Sequence, residues 1–274
     1  MRYKNCRDQH SLQQMITSRR TVSNFMLHPP TAPVDGEIQY QYQQILSDAI
    51  KRGVECASTA PNHKISEPTT FHRILSPSTA SERLLDICYE VTYQRLLLNK
   101  LSGAEACRNE AMRKREKWSK IPAFIIATVS GMEDQCKEEE QQQLQYTELP
   151  LSPPHTIRQL EDYASSCASV QNLLLSLHAE GIASKWATGT IIRTHALRNL
   201  IGCKKDDMIV GLIMVGWAKR RTATTVAFFS VLGIRLDCHL PSGWTKRKRY
   251  WSLTGFPLLD ITPTEQSSTP LSRL

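Results

Sequence analysis

Two apolar runs constrain the fold of this chain most strongly: Ile121–Val129, with Pro122 near its start, and Met208–Gly216. Short apolar runs bounded by polar segments are typical of buried strands, and a proline is tolerated near the beginning of a strand. Met208–Gly216 also has the composition of a central strand. A shorter strand is predicted at Phe71–Leu75. These segments predict a sheet in the fold.

Amphipathic helices surround these strands in the sequence, because apolar residues recur there at spacings of three and four. They are predicted at 9–18, 35–59, 79–101, 105–120, 158–179 and 194–200. The buried side of the second is marked by Ile38, Tyr42, Ile45, Leu46, Ala49 and Ile50. The fifth carries the widest apolar stripe, formed by Leu160, Tyr163, Ala164, Cys167, Val170, Leu174 and Leu177. Gly181 is a natural stop for that helix, and Thr194 can cap the last one. This mixture predicts an α+β protein, a sheet packed on helices.

Two segments depart from this pattern. Residues 131–155 hold the polar run Glu138–Gln143 and then Pro150, Pro153 and Pro154, which predicts a solvated, mobile insertion. Residues 222–274 carry the basic run Lys246–Arg249 beside Trp244, Tyr250 and Trp251. We therefore expect one domain over residues 1–221 and a divergent, poorly ordered extension over 222–274.

The formal net charge of +8 suits an anionic cofactor, and it also suits many proteins without one. The eight cysteines form no C-x-x-C pair, which gives a zinc site little support and indicates a reducing compartment. The first ten residues lack an apolar signal-peptide core, and no apolar stretch is long enough to span a bilayer. We expect a cytoplasmic protein, although the basic N-terminus is also compatible with organelle targeting.

Two candidate binding segments lie in the first quarter of the chain. Arg19, Arg20 and Thr21 follow the first helix and offer two guanidinium groups and a hydroxyl to a phosphate. Arginine is also favoured at a solvated helix end by the helix dipole, so that interpretation stays open. His63 lies in the loop after Pro61, where it could donate a hydrogen bond to a planar cofactor or face solvent.

Two further candidates lie in the second half. Trp186-Ala187-Thr188-Gly189 is predicted as a loop whose small residues would let a planar ring approach, or whose tryptophan anchors the loop in the core. Lys219-Arg220-Arg221 could reach a phosphate, but a solvated turn is the favoured interpretation. The chain has no G-x-G-x-x-G after a strand, no G-x-S-x-G and no H-E-x-x-H.

The order of these segments resembles the FMN-binding nitroreductase family over about residues 12–220. The residues that carry the resemblance are Arg19-Arg20-Thr21 with Phe25, Ala60-Pro61 with Pro68, Asn62-His63-Lys64, Gly181 with Trp186, Thr188 and Gly189, and the closing Ile209-Val210-Gly211 and Val215-Gly216. The Asn62-His63-Lys64 segment is most similar to the minimal single-domain bacterial subgroup. The ordered set carries the resemblance, since no single motif is specific.

The resemblance implies a mainly antiparallel central sheet flanked by helices, in a homodimer with FMN at the subunit interface. Arg19, Arg20 and Thr21 would hold the phosphate and ribityl chain, and Thr59 and His63 would contribute from the partner subunit. Trp186, Ala187 and Thr188 would line the isoalloxazine. The flavin would take a hydride from NAD(P)H and reduce a nitroaromatic, quinone or similar small acceptor in a ping-pong cycle. Because the flavin carries this chemistry, the resemblance implies no catalytic side chain.

Three residues depart from the family pattern. Ser23 stands where arginine is frequent, Glu67 where glutamine is usual before Pro68, and Thr69 where tryptophan usually follows that proline. An ionised Glu67 would be unfavourable near a reduced, anionic flavin. These departures keep open a flavin-binding protein with lost or altered activity. A nucleic-acid-binding module that uses the basic, aromatic C-terminal extension is a third, less favoured possibility.

Overall fold

The computed structural model describes residues 12–29, 36–99, 103–132, 145–150, 153–219 and 258–260. Six helices and six strands lie within these ranges. The helices are α1 (Leu12–Ser18), α2 (Gly36–Ala57), α3 (Thr79–Leu98), α4 (Ala104–Ser119), α5 (Ile157–Ala179) and α6 (His195–Leu200). The strands are β1 (Phe25–Met26), β2 (Thr69–Leu75), β3 (Ala123–Val129), β4 (Ala183–Ala187), β5 (Met208–Ala218) and β6 (Leu258–Asp260).

The six strands form one sheet in the order β1-β5-β3-β2-β6, with β4 also paired to β5. The β2–β3, β3–β5, β4–β5 and β1–β5 pairs are antiparallel, and only β2–β6 is parallel. The long strand β5 pairs with β3 along one edge, while β4 and β1 follow one another along the other. This arrangement confirms the predicted mainly antiparallel sheet and puts β4 beside the segment that follows α1.

Helices pack on both faces of the sheet, as predicted. One core joins α2 and α5 to the sheet through Leu46, Ile50, Leu173, Leu177 and the odd-numbered residues of β3. The other joins α3, α4 and α6 through Leu84, Leu85, Trp118, Leu197, Phe124 and Ile126. The alternation along β3, which is buried at every position, divides its side chains between the two cores.

The helix boundaries follow from local chemistry. Thr194 caps α6 by accepting a hydrogen bond from the Leu197 N–H at 3.3 Å, which confirms the predicted cap. Gly181 ends α5 with a φ of 74°, and the Ile182 N–H donates back to the Leu177 carbonyl at 2.9 Å. A left-handed residue at this position favours glycine, so the predicted stop is also confirmed.

Three sequence predictions about local structure are wrong. Trp186 and Ala187 belong to strand β4 and not to a loop, because they pair with Ile213 and Leu212 of β5. Ile45 of α2, predicted on the buried side, is 51% exposed. Leu160 and Ala164 of the α5 stripe are also exposed, and the first half of α5 instead buries a polar set: Gln159, Asp162, Ser165, Ser166 and Ser169.

The two segments expected to depart from the core are described only in part. Of the predicted insertion, residues 145–150 are held by hydrogen bonds from Leu149 N–H to the Arg193 carbonyl and from Ala196 N–H to the Gln145 carbonyl. Residues 133–144 and 151–152 lie outside the described residues, as does the extension 222–274 except for β6. Among the described helices, none is long and apolar enough to cross a membrane.

Candidate functional site

The fold brings the Arg19–Thr21 segment and strand β4, which carries Trp186, together at one edge of the sheet. The Val22 N–H donates to the Ser184 carbonyl of β4 at 3.2 Å, so the stretch Arg19–Asn24 runs beside β4. The Lys219 N–H donates to the Asn24 carbonyl at 3.1 Å, which adds the end of β5 to the same place. Arg19, Arg20 and Thr21 therefore lie close in space to the strand that carries Trp186 and leads to Thr188.

The two arginines of this segment have different surroundings. The Arg20 guanidinium folds back on the end of α1, where it donates to the carbonyls of Thr17 and, at 2.9 Å, of Arg19. The half-buried Arg19 guanidinium has no hydrogen-bond or ion-pair partner among the residues that the structure describes. Thr21 is exposed beside it. Arg19 is thus the donor available to a ligand, whereas Arg20 caps a helix.

Trp186 anchors β4 in the core. Its indole lies across Gly211 of β5, and its Nε1–H donates to the Val210 carbonyl at 3.4 Å. A Cβ at position 211 would lie 2.0 Å from that nitrogen, so only glycine leaves room for the ring. This packing favours the anchoring interpretation of Trp186. Whether Trp186 also lines a flavin remains a prediction.

The residues that follow Trp186 become more accessible to solvent toward the end of β4. Ala187 is half-buried, while Thr188 and Gly189 are exposed at the end of β4. No heavy atom lies within 4 Å of the position that a Cβ would take on Gly189, so the space above this backbone is open. The Thr188 carbonyl accepts a hydrogen bond from Arg193 Nη1 at 3.1 Å. This corner is the place where a planar group could approach the backbone.

His63 lies near the start of α5, and Thr59 lies just after the end of α2. His63 Nδ1 contacts the Glu161 carboxylate near the start of α5 at 3.2 Å, and both side chains are about half exposed. The exposed Thr59 donates its hydroxyl to the Cys56 carbonyl at the end of α2, at 2.8 Å. Asn172 of α5 donates to the same Cys56 carbonyl at 3.4 Å, so Thr59 lies beside the middle of α5 and not at the end where His63 lies.

The length of α5 separates Arg19 from His63. The Ser18 hydroxyl, next to Arg19, lies 2.9 Å from Nε2 of His178 near the end of α5. Glu161 and His178 are 17 positions apart on this helix, which at 1.5 Å per residue corresponds to about 25 Å. A single chain therefore brings the Arg19–Thr21 segment to β4 but leaves His63 far from Arg19.

The loop that carries His63 has an unusual backbone. Lys64, Ile65 and Glu67 have φ values of 51°, 57° and 43°, a region that a β-branched residue such as Ile65 rarely adopts. Two hydrogen bonds to the buried polar side of α5 hold this backbone in place. The Ser66 hydroxyl donates to Asp162 at 2.8 Å, and the hydroxyls of Thr69 and Ser166 are 2.7 Å apart.

The three departures from the family pattern have distinct surroundings. Ser23 and Glu67 are exposed, and the Glu67 N–H lies 3.5 Å from the Asn62 side-chain oxygen. Thr69 is buried and bonded to Ser166, so this position serves the packing of β2 on α5. Sequence reasoning missed the role of Asp162 and Ser166, because a polar residue within an apolar stripe gives no sign of its partner.

A second missed feature is an ion pair behind Thr188. Glu148 accepts hydrogen bonds from Arg193 Nε at 2.7 Å and from Arg193 Nη2, and its other oxygen accepts from the Thr190 hydroxyl at 3.0 Å. The Arg193 hydrogen bond, more than the Thr190 hydroxyl or the nearby charges, holds the pKa of Glu148 below its usual value. Glu148 lies in the segment predicted to be a mobile insertion, so no local signal linked it to β4.

The described residues contain no group of three or more His, Cys, Asp or Glu side chains that could hold a metal ion. The groups that this corner offers to a ligand are the Arg19 guanidinium, the nearby hydroxyls and the open backbone around Thr188.

Comparisons with known proteins agree with this architecture. The Bacillus subtilis protein "Putative NAD(P)H nitroreductase YfhC" is 21% identical over 210 residues, which are 76% of this chain and 86% of that protein. The solved structure of a nitroreductase-like family protein from Bacillus cereus has a TM-score of 0.53 at 18% identity, and the match covers 85% of this chain and 97% of the other. A structure of the FMN-dependent nitroreductase NfnB from Mycobacterium smegmatis in complex with NADPH has a TM-score of 0.47 at 14% identity, covering 86% and 97%.

The Bacillus cereus structure shows that the fold is shared. The model of the Nitroreductase family matches residues 39–217, which run from α2 through β5. This range holds both His63 and the Trp186–Thr188 segment, and it is more than half of the chain. The chain belongs to the nitroreductase family.

Proposed function

We propose that this protein is an FMN-dependent NAD(P)H oxidoreductase that reduces nitroaromatic, quinone or similar small acceptors. The observation that carries the proposal is the hydrogen bond between Val22 and Ser184, which holds the Arg19–Thr21 segment beside β4, the strand that leads to the exposed Thr188 and Gly189. Family membership supports the same activity. A reducing, cytoplasmic location fits the five described cysteines, because none of them forms a disulfide.

The residues of this corner fit FMN in two respects. The Arg19 guanidinium lacks a partner among the described residues, and paired N–H donors match phosphate oxygens. Beside Gly189, no heavy atom of the described residues other than its chain neighbours lies within 4 Å of the Cβ position, which leaves this backbone open to the approach of a planar ring. Arg19 and Thr21 would hold the phosphate and ribityl chain, and the Ala187–Thr188 backbone would lie against the ring.

FMN, when bound, supplies the hydride and electron chemistry. The chain binds and orients the cofactor and leaves one side accessible. Trp186 fixes the end of β4 through Gly211 and Val210, so the Thr188 backbone is held by the sheet and not by a free loop. A rigid backbone at this position keeps the reacting edge of a bound ring in one orientation.

We propose further that the site is completed in a homodimer. His63 lies about 25 Å from Arg19 along α5, so it can reach the Arg19 side of the site only from a second copy. We propose the same origin for Thr59, as the family resemblance implies. A set of exposed apolar side chains lies on and beside the first half of α5, with exposures of 80% for Ile157, 58% for Leu160 and 68% for Ile65. A second copy would cover this set and bring the partner's His63 to the Arg19 corner.

The cofactor is tested by purification, the visible absorption spectrum and chromatography of the released ligand. We expect a yellow protein that releases FMN. In Arg19→Ala we expect the FMN dissociation constant to rise about 10- to 100-fold, because a charge-assisted hydrogen bond contributes about 1.5–3 kcal/mol. Arg113→Ala, which removes an exposed arginine on α4, is the matched control. A colourless protein without flavin affinity, or equal affinity in the two variants, would contradict the proposal.

The dimer is tested by light scattering on a size-exclusion column. Leu160→Arg places a charge in the exposed apolar set on α5, and we expect it to yield monomers with weakened FMN binding. Leu98→Arg on α3 changes a leucine that is 75% exposed and distant from this set, so it should remain dimeric. A wild-type monomer that binds FMN normally would rule out the interface site.

A flavin-binding protein with altered activity is the second candidate, and Glu67 favours it. Glu67 is exposed in the same loop as His63, where an additional carboxylate would oppose the negative charge of a reduced flavin. NAD(P)H oxidation with a quinone and a nitroaromatic separates the two candidates. Activity that increases in Glu67→Gln would favour the altered form, while rapid turnover by the wild type would favour the enzyme.

A further inference from the structure

The segment 145–150 contacts the end of β4 through a single arginine. Arg193 donates from Nε and Nη2 to one oxygen of Glu148 and from Nη1 to the Thr188 carbonyl at 3.1 Å. The guanidinium thus joins the segment to the backbone where we propose that the flavin ring lies. All three of its donating nitrogens are used, so its orientation is fixed on both sides.

Glu148 is itself held from several directions. Its second oxygen accepts from the Thr190 hydroxyl at 3.0 Å, and the neighbouring Leu149 N–H donates to the Arg193 carbonyl at 2.7 Å. Tyr146 of the same segment packs against the core that contains α3 and α6. The carboxylate therefore has a fixed position, and the arginine transfers that position to Thr188.

We propose that Arg193 is a positioning residue for the flavin-facing backbone at Thr188 and Gly189, with Glu148 as its anchor. Arg193 touches neither cofactor nor substrate in this proposal. It fixes the Thr188 carbonyl. Through this carbonyl it fixes how the peptide bond between Thr188 and Gly189 is oriented relative to the cofactor. The inference rests on the proposed function, because it assigns a role toward FMN to residues that neither the family pattern nor the sequence singled out.

Arginine is required for this role by its geometry. A lysine has one ammonium nitrogen, which cannot occupy the three nitrogen positions that reach Glu148 and Thr188 together. Arg193→Lys keeps the charge but loses one side of the bridge. Glu148→Gln keeps the shape and one acceptor oxygen but loses the charge that orients the guanidinium.

The test uses the purified full-length protein loaded with FMN. In Arg193→Lys we expect the FMN dissociation constant to rise about tenfold, together with a shift in the midpoint potential of the bound flavin, because a hydrogen bond to the backbone beside the ring is lost. Glu148→Gln should give a smaller change in the same direction. The double variant should match Arg193→Lys alone, because Glu148 acts through Arg193.

A matched control is available between α3 and α4. Arg115 has a similarly exposed side chain, 32% against 30% for Arg193, and also binds carboxylates, those of Glu82 and Asp86. Arg115→Lys should lower the melting temperature as much as Arg193→Lys but leave FMN affinity and potential unchanged. Equal effects on FMN in the two variants would show a general loss of stability and overturn the inference.

The two proposals fail in different ways. A wild-type protein with no affinity for FMN would remove the proposed function and the inference with it. A wild-type protein that binds FMN, with an Arg193→Lys variant of the same affinity and midpoint potential, would leave the function standing and overturn the positioning role alone.

Discussion

Gly211→Ala adds a single methyl group, and we expect it to have a large effect on the free energy of unfolding. The new methyl carbon would lie 2.0 Å from Trp186 Nε1, 2.4 Å from Cδ1 and 3.2 Å from Cε2. These atoms belong to a rigid indole, so the ring must move as a whole. Movement of the ring would also break its hydrogen bond to the Val210 carbonyl.

The expected cost is the sum of two terms. Overpacking a filled site costs about 1–3 kcal/mol, and the net loss of one hydrogen bond costs about 1 kcal/mol. Gly211→Ala should therefore lower the free energy of unfolding by about 2–4 kcal/mol. The displaced end of β4 should also weaken FMN binding, because Thr188 lies two residues beyond Trp186.

A double-mutant cycle with Trp186→Ala isolates the clash. Without the indole, alanine at position 211 meets no ring and should stabilise the strand by about 0.5–1 kcal/mol, since glycine is unfavourable inside a strand. The sign of the effect thus reverses between the two backgrounds. Urea unfolding followed by circular dichroism measures all four proteins, with Trp186→Leu as a second background if Trp186→Ala is too unstable.

Gly189→Ala is the control for stability, because no heavy atom lies within 4 Å of the position that its methyl carbon would take and its φ is −71°. It should change the unfolding free energy by less than about 1 kcal/mol. A destabilisation by Gly211→Ala that is equal in the wild-type and Trp186→Ala backgrounds would refute the packing argument.

Three further predictions concern other parts of the fold. Ser78→Ala removes one half of the capping box with Ser81 at the start of α3 and should cost about 0.5–2 kcal/mol in urea unfolding; an unchanged midpoint would contradict the cap. Burial lowers the pKa of His72, so its neutral form is favoured in the folded state. The contribution of His72 to the free energy of unfolding should be fully present above about pH 6.5 and be lost as pH falls from there through the folded pKa. This decline should be smaller in His72→Gln, and equal declines in the two proteins would exclude His72 as its cause. Burial raises the pKa of the Cys88 thiol to about 11, so at neutral pH it should resist alkylation in the folded protein while the exposed Cys56 reacts, as peptide mass spectrometry would show; rapid labelling of Cys88 would contradict its burial.

The elements that the sequence predicted correctly are those with a strong local signal. β3 and β5 are long apolar runs, and α2 to α5 are long periodic segments, so each could be identified without knowledge of its neighbours. β4 was missed because Ala183–Ala187 is short and contains Ser184 and Lys185. Its strand conformation comes from pairing with β5, which is a tertiary effect that local propensity does not contain.

The sequence offered the segments of the candidate site, which stay predictions, but it did not indicate the contacts between them. The Arg19 and Trp186 segments were identified in order, yet the interaction that joins them runs through the backbone of Val22 and Ser184 and is independent of side-chain identity. Arg193 and Glu148 are far apart in the sequence, and the latter lies in a polar stretch that resembles a linker. Gly211 was a local sign of the close contact with Trp186, because glycine inside a strand often marks a tight approach.

The part of the α5 prediction that is wrong is informative about assembly. Periodicity identified an apolar stripe, and its second half is buried as predicted, at Val170, Leu174 and Leu177. The first half of α5 buries polar residues instead, since Asp162 accepts from Ser66, Ser166 bonds Thr69, and the Gln159 amide donates to the Gly131 carbonyl at 3.1 Å. These bonds remove most of the cost of burying polar groups.

Two large apolar side chains at the start of α5, Ile157 and Leu160, are left exposed. Burying a large aliphatic side chain contributes about 1.5–3 kcal/mol, and this contribution is gained only if another surface covers the helix. A helix whose first turns bury polar residues inside the chain and present Ile157 and Leu160 outward is suited to a second copy. The exposed start of α5 therefore supports the proposed homodimer, in which Arg19 and the partner's His63 would share a cofactor.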